Sequence, residues 1–221
     1  MKNNPAKENI LEVSRVYFYQ YGYNKTTTRM IAKRLGMSNV NLHNYYKSKR
    51  DILSELFRRF FDTMYDEYEK VENRKRVSAL ETVIIYIQSF YYFLSYSNQM
   101  FSLYTEGVEE NVIVEIFFER HFHLYQKINE QEIKGKLSDH EIAYNCYVMF
   151  DAMTWSYARY HKKETTLQLP FLRDHHIQLL LKLFELKEED HRETIQSAII
   201  IAKKMDYKAI REFWIEPEVI R

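Results

Sequence analysis

The chain has 221 residues, 46% of them hydrophobic, and a formal net charge of +1 at pH 7. This length and composition allow a sizeable buried core, which excludes a disordered polymer. The four glycines and three prolines leave few breakers for sheet turns, so the composition predicts an all-α fold.

The cysteine content and the apolar segments indicate the cellular compartment in which the protein is expected. The single cysteine, Cys146, excludes an internal disulfide, and the N-terminal stretch MKNNPAKENILEVSRVYFYQ carries charges where a signal peptide needs an apolar run. Apolar stretches such as VIIYIQSFYYFLSY, from Val83, are too short to cross the ~30 Å hydrocarbon layer of a membrane. We therefore expect a cytoplasmic protein with no membrane span.

Charge is unevenly distributed along the chain. Residues 1–60 hold 12 Lys or Arg and 4 Asp or Glu, a balance of +8, so the remainder holds 20 and 27, a balance of −7. A small basic module joined to a mildly acidic body is typical of nucleic-acid-binding proteins. A chance surplus of cations on a solvated face is the alternative interpretation.

Capping residues and glycines predict four helices in the N-terminal part. Helices 2 and 3 are short and separated by Gly36 and Met37, which is the spacing of a helix-turn-helix. The predicted start and stop signals are Pro5 and Gly22 for helix 1, Thr26 or Thr27 and Gly36 for helix 2, Ser38 and Tyr46 for helix 3, and Ser48 for a longer helix 4 at about 48–73.

Long aromatic-rich helices are predicted beyond residue 76, with Gly107 and Gly135 at junctions and a loosely held tail IEPEVIR. Together with the first four they make an all-α chain of about 9–10 helices. Helices 5 to 10 are placed at 77–95, 98–107, 109–133, 138–161, 170–187 and 190–213.

Polar side chains concentrate on helices 2 and 3. A short helix whose first residues enter the major groove can read base edges, while the helix before it anchors to phosphates. The groups available are Thr27, Thr28 and Arg29 at the start of helix 2, Asn39, Asn41, Asn44 and Tyr45 on or beside helix 3, and Lys49 at the start of helix 4.

At these residues the sequence resembles the TetR family of bacterial transcriptional regulators. The resemblance covers residues 10–56 and rests on YGYNKTT, IAKRLGMS and YYKSKRDIL in that order and spacing. It implies a DNA-binding domain at 1–50, a connecting helix 4, and an effector-binding and dimerisation domain at 51–221. We expect helix 4 to act as a lever, with Lys49 near a phosphate and with Phe57, Phe60 and Phe61 packed on the body.

The resemblance also implies roles for individual residues. Two departures from the family pattern are expected to alter specificity: His43 replaces a usual tyrosine, and Val40 and Asn41 replace a small residue and a threonine. Asparagine can pair with adenine and valine can pack on a thymine methyl, so an A·T-containing half-site is expected. Phosphate contacts are implied for Thr27, Thr28, His43 and Lys49, and base contacts for Arg29, Asn39, Val40, Asn41 and Tyr45.

Aromatic residues crowd the later helices. Aromatics at helical spacing commonly form an ordinary core, but an aromatic-walled site between helices is also a typical small-molecule pocket, and the resemblance implies an effector here. An apolar or aromatic effector would suit these walls. The candidate pocket residues are Tyr86, Phe90, Phe101, Tyr104, Phe118, His121, Tyr125, Tyr147, Phe150, Met153 and Tyr157.

Two apolar stripes suggest an interface or a core. Helix 8 repeats Ile142, Cys146, Met149 and Met153, and the last helix repeats Ile195, Ile199, Ala202 and Met205. Family members dimerise through two C-terminal helices of each subunit, so the resemblance implies a homodimer through helices 8 and 10, or 8 and 9. Both stripes have an alternative place in the chain's own core.

No catalytic, metal or cofactor motif is present in the sequence. We therefore expect no enzyme activity, no bound metal and no cofactor. The sequence predicts a ligand-responsive repressor that binds a palindromic double-stranded operator as a dimer and is released by a small apolar or aromatic effector. A helical small-molecule carrier without specific DNA binding is the alternative.

Overall fold

The computed structural model describes residues 4–72 and 77–215, and nothing but helices and connecting segments occurs in these ranges. The all-α prediction is confirmed. The α-helices are α1 Pro5–Tyr21, α2 Thr28–Arg34, α3 Asn39–Tyr45, α4 Lys49–Glu72, α5 Ala79–Leu94, α6 Asn98–Glu109, α7 Val112–Ile133, α8 Asp139–His161, α9 Leu169–Leu183, α10 Arg192–Lys204 and α11 Tyr207–Ile215, with a 3₁₀ turn at Glu188–His191.

Side-chain caps begin the early helices as predicted. Thr27 accepts a hydrogen bond from the Met30 amide, and Ser38 accepts one from the Asn41 amide. Ser48 and Asp51 bond reciprocally at the start of α4, each side chain accepting from the other residue's backbone amide.

Two predicted boundaries are wrong. The predicted helix 190–213 is two helices, because Met205 is extended and the Asp206 carboxylate accepts from the amides of Lys208 and Ala209, which starts α11. Gly107 lies inside α6, which continues to Glu109. A glycine is needed there because a Cβ would come within 2.8 Å of Ile113. The prediction for the tail from residue 216 onward lies outside the described residues.

The chain packs as two compact units. The first unit is formed by the described parts of Met1–Glu67, Leu94–Ile116 and Asp206–Arg221, and the second by those of Tyr68–Phe93 and Phe117–Met205. The first therefore contains α1, α2, α3, α6, α11 and most of α4. A functional division at residue 50 stays a prediction.

Each unit has its own apolar core. Phe57 and Phe60 are fully buried in the first unit, and Tyr125 and Cys146 are buried in the second. Burial raises the pKa of the Cys146 thiol to about 12, which keeps it protonated and unreactive. No helix within the described ranges is long and apolar enough to cross a membrane.

Candidate nucleic-acid interface

The helix-turn-helix presents its polar residues outward, and α2 and α3 are called the reading helices below. Leu42 is completely buried and anchors α3, whereas Val40 is 74% exposed and Asn41 and Asn44 are also exposed. Asn44 Nδ2 donates a long hydrogen bond of 3.5 Å to Asn41 Oδ1. An apolar side chain exposed to this degree beside two exposed amides forms a surface suited to base edges. Arg29 on α2 is likewise exposed.

The other predicted contact residues are either partly buried or already hydrogen-bonded within the domain. Thr27 is exposed, but its hydroxyl already accepts from the Met30 amide at 3.2 Å. Thr28, Asn39 and Tyr45 are half-buried. The Asn39 Oδ1 atom is buried and has no hydrogen-bond partner within the described part of the chain. Asn39 would therefore have to change rotamer to present both amide atoms to a base.

His43 has one ring nitrogen committed. Its Nδ1 lies 3.2 Å from the carbonyl oxygen of Lys47, and because a carbonyl only accepts, Nδ1 must be the donor. In the neutral ring Nε2 is then an acceptor. Donation from Nε2 to a phosphate requires the protonated imidazolium.

Lys49 holds the turn that leads from α1 into α2. Its ammonium donates to the carbonyls of Tyr23 at 2.8 Å and Thr26 at 3.0 Å, and lies 3.9 Å from the centre of the Tyr23 ring. Burial lowers the pKa of Lys49. A phosphate contact by this residue stays a prediction, and in this arrangement two of its three donors serve the domain itself.

Glu106, on α6, holds the same turn from the other side. Its carboxylate accepts from the backbone amides of Tyr23 at 2.8 Å and Asn24 at 3.1 Å. It lies against Gly22, which has a positive φ of 87° and ends α1. No local sequence pattern indicates this contact, because Glu106 lies 83 and 82 residues from Tyr23 and Asn24.

A groove beside the reading helices was missed. It has a volume of about 420 Å³ and is lined by Tyr17, Tyr21, Met30, Lys33 and Arg34. Among these described lining residues there are two cations and no carboxylate. Lys33 lies four residues after the DNA-contact candidate Arg29, so the two share one face of α2, and this spacing was the available sequence signal.

The N-terminal part matches a known family. The family model for bacterial regulatory proteins of the tetR family matches residues 10–56. These residues are a TetR-family N-terminal domain.

Two curated relatives are similar to part of the chain. The transcriptional regulator QacR of Staphylococcus aureus is 30% identical over 112 residues, which cover 49% of this chain and 59% of QacR. The transcriptional repressor KstR2 of Mycolicibacterium smegmatis is 28% identical over 65 residues, covering 29% of this chain and 32% of KstR2. The chain thus spans less than two thirds of the length of either relative.

The fold similarity extends over most of the chain. The fatty acid degradation regulator FadR of Bacillus halodurans superposes with a TM-score of 0.53, covering 82% of this chain and 97% of FadR. The sequences are 15% identical, so the match shows a shared fold. The TetR-family domain therefore sits in a chain whose helical architecture is also that of a solved regulator.

The candidate effector residues fall into both units. Phe101 and Tyr104 belong to the first unit and the remaining nine to the second. In the second unit His121 is buried, its ring 4.2 Å from that of Phe117 and 4.7 Å from that of Tyr86. Phe150 in turn lies 5.0 Å from Phe117.

His121 has one unsatisfied nitrogen. Nδ1 donates to the Phe117 carbonyl at 2.9 Å, and Nε2 is buried with no hydrogen-bond partner in residues 4–72 and 77–215. Burial, with smaller effects from Arg120 and His123, lowers the pKa of His121 to about 4. The ring is neutral at pH 7, and Nε2 is an unused acceptor.

The predicted apolar stripe of α8 faces the core of its own unit. Ile142, Cys146 and Met149 are 1% exposed or less. Another face of α8 exposes Tyr144 at 67% and Trp155 at 53%. Tyr147 is 46% exposed and stacks on Phe118 at 4.9 Å, so this aromatic pair lies at the surface of the unit.

Proposed function

We propose that the chain is a dimeric, effector-responsive DNA-binding repressor of transcription. One observation carries the proposal: within a TetR-family domain, α3 is anchored by buried Leu42 while it exposes Val40, Asn41 and Asn44 together. An exposed surface of this kind has no role in the domain's own packing. The repressor name of the relative KstR2 is consistent with the proposed direction of control.

The proposed contacts divide by type. Asn41, Asn44 and Val40 read bases, with Arg29 beside them on α2. The groove lined by Lys33 and Arg34 takes phosphates flanking the bases that α3 reads, because it offers cations without a carboxylate in its described lining. These contacts anchor the domain without adding sequence preference.

Dimerisation is proposed to use the exposed face of α8 rather than its buried stripe. Tyr144 and Trp155 are large apolar side chains left uncovered in one copy, and a symmetric partner would cover them. Two reading helices related by a twofold axis would then meet a palindrome with half-sites about 34 Å apart.

The proposed effector is a neutral, apolar or aromatic molecule carrying one hydrogen-bond donor. His121 supports this class because its buried Nε2 is an acceptor without a partner among the described residues, and aromatic rings flank it. An effector acts only through its different affinities for the DNA-bound and released states.

The DNA-binding proposal is tested by selecting genomic fragments, including DNA flanking the chain's own gene, with purified full-length protein at ~0.15 M salt. Recovery of one palindromic sequence supports it. Asn98→Ala, an exposed asparagine of the first unit outside the reading helices, should select the same sequence. Random fragments whose affinity vanishes as salt rises would favour the carrier alternative.

The effector proposal is tested by thermal shift with pairs of neutral aromatic compounds that differ by one hydroxyl group. The hydroxylated member of a binding pair should stabilise the wild type more, and His121→Phe should abolish the difference. His123→Phe, an exposed position on the same helix, should retain it. Equal shifts in the wild type and His121→Phe would remove His121 from the site.

A further inference from the structure

The last described helix, α11, packs in the same unit as the reading helices although it follows them by more than 160 residues in the sequence. α11 covers Tyr207–Ile215 and belongs to the first unit together with α1, α2 and α3. Its inward face carries Ile210, which is completely buried, and Trp214, which is 2% exposed. Lys208 on the same helix is exposed to solvent.

Aromatic contacts fix α11 against α4. The Trp214 ring lies 5.3 Å from that of Phe57 and 5.8 Å from that of Phe60, and Phe213 lies 5.7 Å from Phe60. Phe57 also touches the place where a side chain on Gly107 would be, 2.9 Å from the ideal Cβ position. Phe57 is therefore held between α11 and α6.

Two arginines add directed contacts. Arg15 of α1, itself 5% exposed, donates to the backbone carbonyl of Phe213. That carbonyl is in the last turn of α11, where carbonyls lack a helical partner. The Arg211 guanidinium lies 4.5 Å from the centre of the Tyr96 ring. α11 thus contacts both α1 and α4.

A helix of nine residues is not stable alone, so α11 is helical because it is docked. The dependence is mutual, since Phe57 and Phe60 would lose their cover without it. Phe57 lies two turns after Lys49 on α4, and Lys49 holds the carbonyls of the turn before α2. Trp214 is therefore linked to the turn before α2 through the Phe57 ring, the α4 helix and the Lys49 side chain.

We propose that α11 is a positioning element for operator recognition, and that Trp214 holds α1 and α4 in the arrangement that aims the reading helices. The inference rests on the proposed DNA-binding function. Trp214 touches no DNA in this scheme. Its removal lowers affinity for every duplex by a similar factor and leaves the salt dependence unchanged.

The test uses full-length variants on the selected operator. Trp214→Ala should lower operator affinity by about tenfold or more. Trp214→Phe should keep most of the wild-type affinity, because the phenylalanine ring still covers Phe57. Lys208→Ala, on the exposed face of the same helix, is the matched control and should bind like the wild type. Wild-type affinity in Trp214→Ala would overturn the proposal.

Hydrogen exchange separates this proposal from the proposed function, because it needs no operator. In Trp214→Ala the amides of α2, α3 and residues 22–26 should exchange faster, while those of the second unit keep wild-type rates. Faster exchange without any recovered operator would keep the positioning role and reject the DNA-binding function. Faster exchange limited to α11 itself would reject the positioning role.

Discussion

The outward-facing amides of α3 and the interior around His121 handle polar groups in opposite ways. Asn39 at the start of α3 is the exception, because its Oδ1 is buried without a partner among the described residues. On α3, Asn41 and Asn44 face solvent, where water satisfies them at no cost to folding. In the second unit, His121 Nε2 and Gln88 Nε2 are buried and lack partners in the described part of the chain. Each such buried atom costs the fold ~1–3 kcal/mol.

The difference matches the two kinds of partner proposed above. A DNA surface is large and rigid, so the groups that meet it can wait exposed on anchored helices. A small molecule must be enclosed to gain affinity, so the groups that meet it are buried beforehand and are unsatisfied until it arrives. The four predictions below change one side of this comparison at a time, from the largest effect to the smallest.

Acid should lower the free energy of unfolding, because the buried His121 resists protonation in the folded chain. The pKa of His121 falls from 6.5 to about 4 on folding because of burial. The unfolded chain therefore binds a proton as pH drops below 6.5 while the folded chain does not, so the stability present above pH 6.5 is lost down to about pH 4. The loss should reach about 3 kcal/mol, measured by denaturant unfolding across that range.

The control for this prediction is His121→Phe. It should flatten most of the slope and leave a smaller one, because burial also lowers the pKa of His176, His123 and His161. A slope unchanged by the substitution would mean that His121 is not the group that titrates.

Asn41→Ala should damage recognition without touching the fold. Loss of a paired base contact should weaken operator binding by ~1–3 kcal/mol and relax preference at one base pair. Unfolding free energy should change by less than ~0.5 kcal/mol, since the side chain is exposed. Competition binding against single-base-pair operator variants measures this, and a uniform loss across all variants would reassign Asn41 to phosphate.

Gln88→Met should have the reverse effect. It removes a buried donor that lacks a partner in the described residues and keeps a similar volume, so the protein should gain ~1 kcal/mol of stability. Thermal unfolding measures the gain, with exposed Gln196→Met of the same unit as a neutral control. A destabilised Gln88→Met would place the amide in a satisfied network instead.

His43 should give the smallest effect. Because its Nδ1 is committed to the Lys47 carbonyl, only the protonated ring can donate to phosphate. His43→Phe keeps a planar ring without a donor, so it should weaken operator binding by about twofold to threefold. Competition binding on the selected operator measures the loss, and an affinity equal to that of the wild type would exclude a phosphate contact by His43.

Local chemistry made the early helices predictable. Pro5, Gly22, Thr27 and Ser38 act on neighbours within four residues, so their roles could be read from the sequence. The break before α11 was missed although Asp206 also acts locally, because the apolar pattern continues across it.

The contacts that support the candidate interface were less accessible to prediction. The sequence predicts Lys49 at a phosphate, yet its ammonium donates hydrogen bonds to the carbonyls of Tyr23 and Thr26, more than twenty residues earlier in the chain. Glu106 and Trp214 reach the same unit from much farther away. Which distant segment covers a given surface is decided by tertiary packing, which one sequence does not encode in any short pattern.

The position of α11 bears on how the protein is made. The ribosome releases the reading helices first, but the helix that covers Phe57 and Phe60 begins at Tyr207, after α5 to α10 have been made. Until then the nascent N-terminal segment has an uncovered aromatic surface. The first unit can therefore complete its folding only after the segments of the second unit, Tyr68–Phe93 and Phe117–Met205, have also been synthesised.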